Sequence, residues 1–461
     1  AQTTLSVLAI NNPAAVRFSA KCAIFAPTSD YKYPKMNYSS AFETLFLFFL
    51  FGGFALKYYL DCREIRCIRE NRGKVPEAFA EKITLEAHQK AADYSIENVR
   101  FGELSRLVSL GLTLILTVGG LLQIIYLMTT GWLGNTILAQ VVIILLIGFI
   151  SGLIDLPFSW YQTFKIEAKY GFNTTTPARF IKDTLMSAAL SIVLGVPIVS
   201  LILWLWNVSG PYWWVWAWAA YMLFNVIILW LYPAVIAPLF NKFSPLPDGE
   251  LKDRLESLLS RIGFSSRGLY SMDASKRSAK GNAYMTGFGK NKRIVLFDTL
   301  MNKLTPEETE AVLAHELGHY KLNHIYKMLA FSCVFSLLFF WLLSVLADCQ
   351  WFYEGLGVNL IQGASHGTAL VLFSIAVPVF MFPLAPLSSY FSRKHEFEAD
   401  AFAVKYSNGH ALISALVKLF SDNASTLTPD PVYSAFYSSH PDAAIRIQAI
   451  EEAEKAKAAS H

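Results

Sequence analysis

Charge is what this chain has least of. Asp, Glu, Lys and Arg make up 16% of its 461 residues, 54% are hydrophobic, and the mean hydropathy is +0.38. A soluble domain usually carries about 25% charged residues. The deficit argues against an ordinary soluble enzyme. The net charge of +4 is too small to signal a nucleic-acid partner. Cysteine is sparse as well. Cys22, Cys62, Cys67, Cys333 and Cys349 show no zinc-ribbon spacing, and Cys333 lies inside an apolar run, so reduced thiols are expected.

Long uncharged runs take the place of charge. They cover 41–60, 107–133, 137–156, 185–206, 212–240, 328–347 and 368–391. A helix of about 20 such residues crosses a hydrocarbon core. One or two runs in a chain can be buried core helices, but seven predict a predominantly α, multi-pass membrane protein with seven transmembrane helices. The segment 1–40 is polar and lacks a tidy signal peptide, and Met36 stands as a candidate start with the residues before it a leader.

Loop charge orients the spans, because Lys and Arg stay on the cytoplasmic side. Arg63, Arg66, Arg69, Arg72 and Lys74 follow the first run and place that loop in the cytoplasm. The links 134–136, 207–211 and 348–367 carry no Lys or Arg and are expected outside. Loops 157–184, 241–327 and 392–461 are basic and face inward. The amino terminus then falls outside, against which Arg17, Lys21, Lys32 and Lys35 stand. The domain reading is therefore 1–40 as an outer segment or leader, 41–240 as spans one to five, 241–327 as a first cytoplasmic part, 328–391 as spans six and seven, and 392–461 as a second cytoplasmic part. The two cytoplasmic parts return to one side and are able to form a single unit.

The chemistry sits in "AVLAHELGHYKLNH" at 311–324. Thr305, Pro306 and Glu308 read as N-cap, first helical residue and capping-box partner of a helix. On it His315 and His319 are four residues apart and share a face, with Glu316 one position round. Two imidazoles with an adjacent carboxylate form the zinc-protease pattern HExxH. A surface helix with incidental polar residues is the plain alternative. Ala311, Leu313, Ala314 and Leu317 oppose it, since a helix this apolar is partly buried and buried histidines need partners.

A third ligand belongs on another helix. In "SRKHEFEADAFAVKY" (392–406) Glu396 and Asp400 lie one turn apart beside Ala399. Glu396 is the expected ligand, and Asp400 the acceptor for the free ring nitrogen of a ligand histidine. His395 and Glu398 compete with Glu396. Glu398 is expected to be a solvated or chamber-facing charge, because one turn on from it is Phe402, and His324 to be structural or a surface contact.

HELGH at 315–319, the Glu396/Asp400 pair, "NAYMTGFGKNKRIVLFDTL" (282–300), "LPFSWYQTFKIEAKYGFN" (156–173) and "SSHPDAAIRIQAI" (438–450) together resemble the CAAX prenyl protease type 1 family, over about 41 to 450. The resemblance implies an integral-membrane zinc metalloendopeptidase whose seven tilted helices enclose a water-filled chamber. Gln123, Gln140 and Asn225 inside the spans agree with polar walls, and helix–helix hydrogen bonds explain them equally well. The resemblance implies one zinc ion held by His315, His319 and Glu396, with Glu316 as general base. It also assigns oxyanion stabilisation to His440 and Arg446; an ordinary surface charge is the alternative for Arg446. "GNAYMTGFGKNKRIVLF" reads as two short strands, the first of which (Asn282, Ala283, Tyr284, Met285) is an edge where a peptide substrate adds as a strand; a hairpin that only supports the helix is the alternative.

The implied reaction removes the C-terminal tripeptide after a prenylated cysteine, and in some members makes a second, upstream cut. The partners are then the bilayer and a peptide or protein substrate, with no nucleic acid. A short loop between spans six and seven and the absence of a terminal dilysine signal tip the compartment toward a bacterial inner membrane over the endoplasmic reticulum or nuclear membrane. Two other classes stand beside this reading: a membrane quality-control zinc protease acting on unprenylated or misfolded membrane-associated peptides, and a non-enzymatic transporter or scaffold.

Overall fold

Six of the apolar runs become unbroken candidate spans, and the seventh is broken in the middle. The computed structural model describes residues 37–287, 292–361 and 365–459, so most of the segment 1–40 lies outside the described residues. Tyr38–Asn71, Ile137–Glu167, Pro177–Val208, Gly210–Phe240, His324–Leu346 and His366–Tyr406 are each long and apolar enough to cross a membrane. The remaining crossing joins Leu85–Leu116 to Leu121–Leu133 with a bend of 50°. Its cause is local: Thr117 leaves helical geometry, and Gly120 adopts φ +77°, a conformation that glycine tolerates and most side chains do not.

Several of these helices bury few of their side chains within the protein. Pro177–Val208 buries only Ile202, Leu203 and Trp206; Trp213–Leu231 buries only Trp213 and Ala217; Tyr38–Asn71 buries Phe46 and then nothing until Leu60. Between 6% and 28% of each apolar window is covered by protein. Helices in a solid soluble bundle bury a continuous stripe; these leave most of their apolar surface uncovered by protein, as helices in a hydrocarbon core do. Two packed cores hold them together. One gathers Phe46, Leu122, Tyr126, Ile143, Trp206, Trp213, Phe352 and Leu372 at the end that carries the loops 134–136, 207–211 and 348–361. The other joins Leu255, Leu296, Leu313, Leu317, Leu412 and Ile447 at the opposite end. Segments before and after the last two spans meet in this second core.

The polar residues within the spans serve local bonds. Gln123 donates to the Asn359 carbonyl at 3.2 Å and accepts from its N–H at 2.6 Å. Gln140 accepts from the Gly367 N–H at 3.0 Å. Asn225 donates to the Tyr221 carbonyl of its own helix.

A four-stranded sheet supports the second core. Its strands are β1 (Phe243–Pro245), β2 (Leu269–Met272), β3 (Ala283–Thr286) and β4 (Arg293–Phe297), in the order β1-β2-β4-β3. β3 and β4 pair antiparallel, with Tyr284 opposite Val295. The turn between them, at 288–291, lies outside the described residues. β2 lies parallel to β4, and this long-range pairing buries Ile294, Val295 and Leu296. Among the described strands β3 has one neighbour, so its other edge is open.

The fold sets up a topology test. In a background whose native cysteines are replaced, Asn207→Cys is expected to react with a membrane-impermeant thiol reagent in sealed, right-side-out vesicles, and Lys292→Cys to react only after permeabilisation. The reverse pattern would place the sheet and its helices on the outer side.

Candidate metal centre

The helix Pro306–Lys321 is fixed at its start by a complete capping box. The Glu308 N–H donates to Thr305 Oγ1 at 3.2 Å, and the Thr305 N–H to Glu308 Oε2 at 2.8 Å. Lys418, 2.7 Å from the same carboxylate, ties this end to the helix Gly409–Asp422. The other end stops at Asn323, whose φ of +60° is rare outside glycine. The chain then restarts as a helix at His324.

What brings the second helix near is the glycine of HELGH. A Cβ built on Gly318 would sit 3.0 Å from the Ala399 Cα and 3.2 Å from the Ala399 carbonyl oxygen. Two small residues let the backbones of Pro306–Lys321 and Ala385–Tyr406 touch. Glu396 and Asp400 flank Ala399 and are carried to the histidines.

The result is a cluster of inward-facing donors. His315 Nε2 and His319 Nε2 are 3.2 Å apart. His319 Nε2 stands 3.2 Å from Glu396 Oε1, and His315 Nε2 stands 3.5 Å from Glu396 Oε2. The other nitrogen of each ring already has a partner. His315 Nδ1 lies 2.8 Å from Asp400 Oδ1, and His319 Nδ1 lies 3.1 Å from His324 Nδ1. A neutral His315 that donates from Nδ1 to Asp400 has only a lone pair at Nε2.

This arrangement fits a metal ion. Two imidazole nitrogens and a carboxylate converge on one point, and Glu396 Oε2 is buried without a hydrogen-bond partner. The ligand atoms of His315, His319 and Glu396 all lie within 4.8 Å of one another. Separations of 3.2–3.5 Å are close to the roughly 3.3 Å edge of a tetrahedron with zinc–ligand bonds near 2.0–2.1 Å. Electrostatics favours a cation too. Burial alone would lower the His315 pKa, but its bonds to Asp400 and Glu396 prevail and push it up to about 9.

Around this cluster the remaining residues divide by exposure. Glu316 is partly buried and makes no hydrogen bond or ion pair with the described residues; burial raises its pKa above the usual carboxylate range. Arg446 is buried. Its Nε and Nη2 hold the Asp400 carboxylate at 2.7 and 2.8 Å, and its Nη1 lies 3.5 Å from Glu396 Oε2. His440 is exposed at the rim, with Nε2 3.6 Å from Glu396 Oε1. Ala283–Met285 form the start of the edge strand β3, and Asn282 immediately precedes it, its carbonyl accepting from Phe297 N–H at 3.1 Å. Ala283 and Met285 pack on the core that includes the HExxH helix.

Glu398 is partly exposed, and its Oε2 accepts from His324 Nε2 at 2.9 Å. His324 takes the structural one of its two expected places: it is buried against His319, and His395 stacks on it with ring centroids 4.1 Å apart. The i, i+4 rule misses this contact because His324 lies beyond the helix end, where the left-handed Asn323 turns the chain back. Gly318 also carried a signal, a glycine inside a helix, which often marks a close crossing.

Comparison with known proteins agrees with the geometry. Residues 64–242 match the family described as CAAX prenyl protease N-terminal, five membrane helices, and residues 245–454 match Peptidase family M48. The chain is 36% identical to an Arabidopsis thaliana protein named CAAX prenyl protease 1 homolog, over 88% of this chain and 97% of that one. It is 34% identical to the Saccharomyces cerevisiae CAAX prenyl protease 1 (87% and 94% covered) and 33% identical to a human homolog (84% and 90%). The crystal structure of S. mikatae Ste24p superposes with a TM-score of 0.84 at 32% identity, covering 91% of this chain and 100% of that one.

The helix crossing yields a prediction. Gly318→Val is expected to push the two helices apart and destabilise the protein by roughly 1–3 kcal/mol, with loss of bound metal, while Gly318→Ala gives a smaller effect of the same sign. Thermal midpoint and metal content per mole check this; native values in Gly318→Val would contradict it.

Proposed function

The chain belongs to the CAAX prenyl protease 1 family of M48 membrane metallopeptidases, and from that premise we propose that it binds one zinc ion through His315, His319 and Glu396 and cleaves peptides that carry a C-terminal prenylated cysteine. The observation that carries the zinc reading is the convergence of two imidazole nitrogens and a carboxylate on one point, with Glu396 Oε2 buried and unbonded. The relatives' names carry the substrate class.

Zinc, when bound, supplies a Lewis acid at the scissile carbonyl and a lowered pKa for water. The chain's own residues do the rest. Glu316, one position round the helix from the two histidines, takes a proton from the attacking water and delivers it to the leaving amine. Its raised proton affinity suits that exchange. His440 stands at the open rim, ready to donate to the oxyanion that develops on the carbonyl, and Arg446 adds positive charge through Nη1. Asp400, clamped by Arg446, holds His315 in the tautomer that leaves Nε2 free. The open edge of β3 pairs with the extended substrate, with Asn282, Ala283, Tyr284 and Met285 at that edge. A prenyl chain partitions into the apolar surroundings of the spans while the peptide reaches the site, which explains why a hydrolysis is housed within a membrane protein.

The basic loops favour a site on the cytoplasmic side. The relatives named above are eukaryotic, which favours an endoplasmic reticulum or nuclear membrane over a bacterial inner membrane. Coverage of 97% of the plant relative, including the five-helix N-terminal family, disfavours a shorter quality-control protease. A transporter or scaffold has no use for this donor cluster beside an unpartnered Glu316.

Cleavage of a farnesylated peptide with a C-terminal tripeptide tests the substrate. Wild-type protein is expected to release the tripeptide and to stop when chelated. Glu316→Gln should keep its metal and its thermal midpoint yet lose about 10²-fold or more in turnover. Near-native turnover by the metal-loaded variant would refute the role given to Glu316. Equal rates on farnesylated and unmodified peptides would refute the prenyl requirement.

A further inference from the structure

Beside the proposed zinc site lies a second group of the same composition. His324, His395 and Glu398 also offer ligand atoms within 4.8 Å of one another. The two groups are joined by the 3.1 Å contact between His319 Nδ1 and His324 Nδ1. Two imidazole nitrogens at that distance need one proton between them, and the location of that proton decides what the second group does.

The choice follows from partner to partner. A His319 that ligates through Nε2 has its ring proton on Nδ1. That N–H donates to His324 Nδ1, which must be a lone pair. The proton of neutral His324 is then on Nε2, where Glu398 Oε2 accepts it at 2.9 Å. Every nitrogen and the facing carboxylate oxygen is satisfied, in one direction. A cation at His324 Nε2 would reverse the order: Nδ1 of His324 would carry the proton, Nδ1 of His319 would accept it, and Nε2 of His319 would be protonated and unable to ligate. The inner ion and an outer ion exclude one another along this chain of bonds.

We propose that His324 is a positioning residue for His319, held in its tautomer by Glu398 and in its plane by His395, and that the His324–His395–Glu398 group is not a second metal site. The proposal rests on the assignment of the ion to His315, His319 and Glu396. It gives the two ligand histidines different outer partners. His315 has the carboxylate of Asp400, neutralised by Arg446. His319 has a neutral imidazole, with the carboxylate of Glu398 one ring further out. The geometry is prepared in the backbone: the left-handed Asn323 breaks the helix and restarts it with His324 buried against His319. The His395 ring, 14° from coplanar and 4.1 Å away, fixes the plane of His324 by stacking.

The test uses full-length, zinc-loaded protein in detergent and reads metal stoichiometry and chelator-competition affinity. His324→Leu removes the acceptor and is expected to weaken zinc by roughly 10–100-fold, with the thermal midpoint of the metal-free form unchanged. His324→Gln, whose amide accepts and donates in the same places, should restore affinity to within a few-fold of native. Glu398→Ala should weaken zinc several-fold. His395→Phe, which keeps the stack, should hold the native amount. Cobalt-substituted protein gives a second readout, because a shifted ligand-field spectrum in His324→Leu reports a moved His319 ring. Native affinity and spectrum in both His324→Leu and Glu398→Ala would overturn the proposal, and if one of these fails to fold the other decides. Two zinc ions per native chain, falling to one in His395→Phe, would overturn it in favour of a second site. Zinc retained in His319→Ala, or absent from the native protein, would overturn the inner-site assignment instead.

Discussion

The contact of two small residues, Gly318 and Ala399, governs the rest of the site. A side chain on Gly318 would meet the Ala399 backbone at 3.0 Å. Because it has none, the HExxH helix and the Ala385–Tyr406 helix cross at the closest approach that backbones allow. From that crossing Glu396 meets the facing nitrogens of His315 and His319, Asp400 meets the far side of His315, and Glu398 meets His324. One helix thus supplies a carboxylate to the centre and two to its periphery. The contact also joins chain segments that the last two spans separate in sequence.

Two packed cores organise the chain around its spans. Apolar side chains seal one end of the helices around Tyr126, Trp206, Trp213 and Phe352, and the sheet and the metal helices close the other. The spans between bury little of their surface on one another. Gln123, Gln140 and Asn225 each bond a backbone group. In the candidate metal centre His440 is exposed and Arg446 is buried behind it.

Much of this was legible in the sequence because the signals were local. Seven apolar runs, the capping box of Thr305 and Glu308, and the helical phase that sets Glu396 and Asp400 apart from Glu398 all lie within a few turns of one helix. What could not be read was set by tertiary contact. The break at Thr117–Gly120 falls inside a run whose composition alone reads as one continuous span. The parallel pairing of β2 with β4 joins strands whose partnership no short pattern announces. The bond of Glu398 to His324 was not legible either, because Glu398 has no partner one turn on along its own helix and His324 comes from another. His324 itself lay outside the i, i+4 frame that identified His315 and His319, and only the turn at Asn323 folds it back.

The central claim is that one ion sits among His315 Nε2, His319 Nε2 and Glu396. A crystal of the zinc-loaded protein, with anomalous differences recorded on either side of the zinc absorption edge, tests it most directly. The account predicts one edge-dependent peak per chain between those three side chains, with none beside His324, His395 and Glu398. A peak at the outer group, or no zinc peak from protein that is active and metal-loaded in solution, would contradict it.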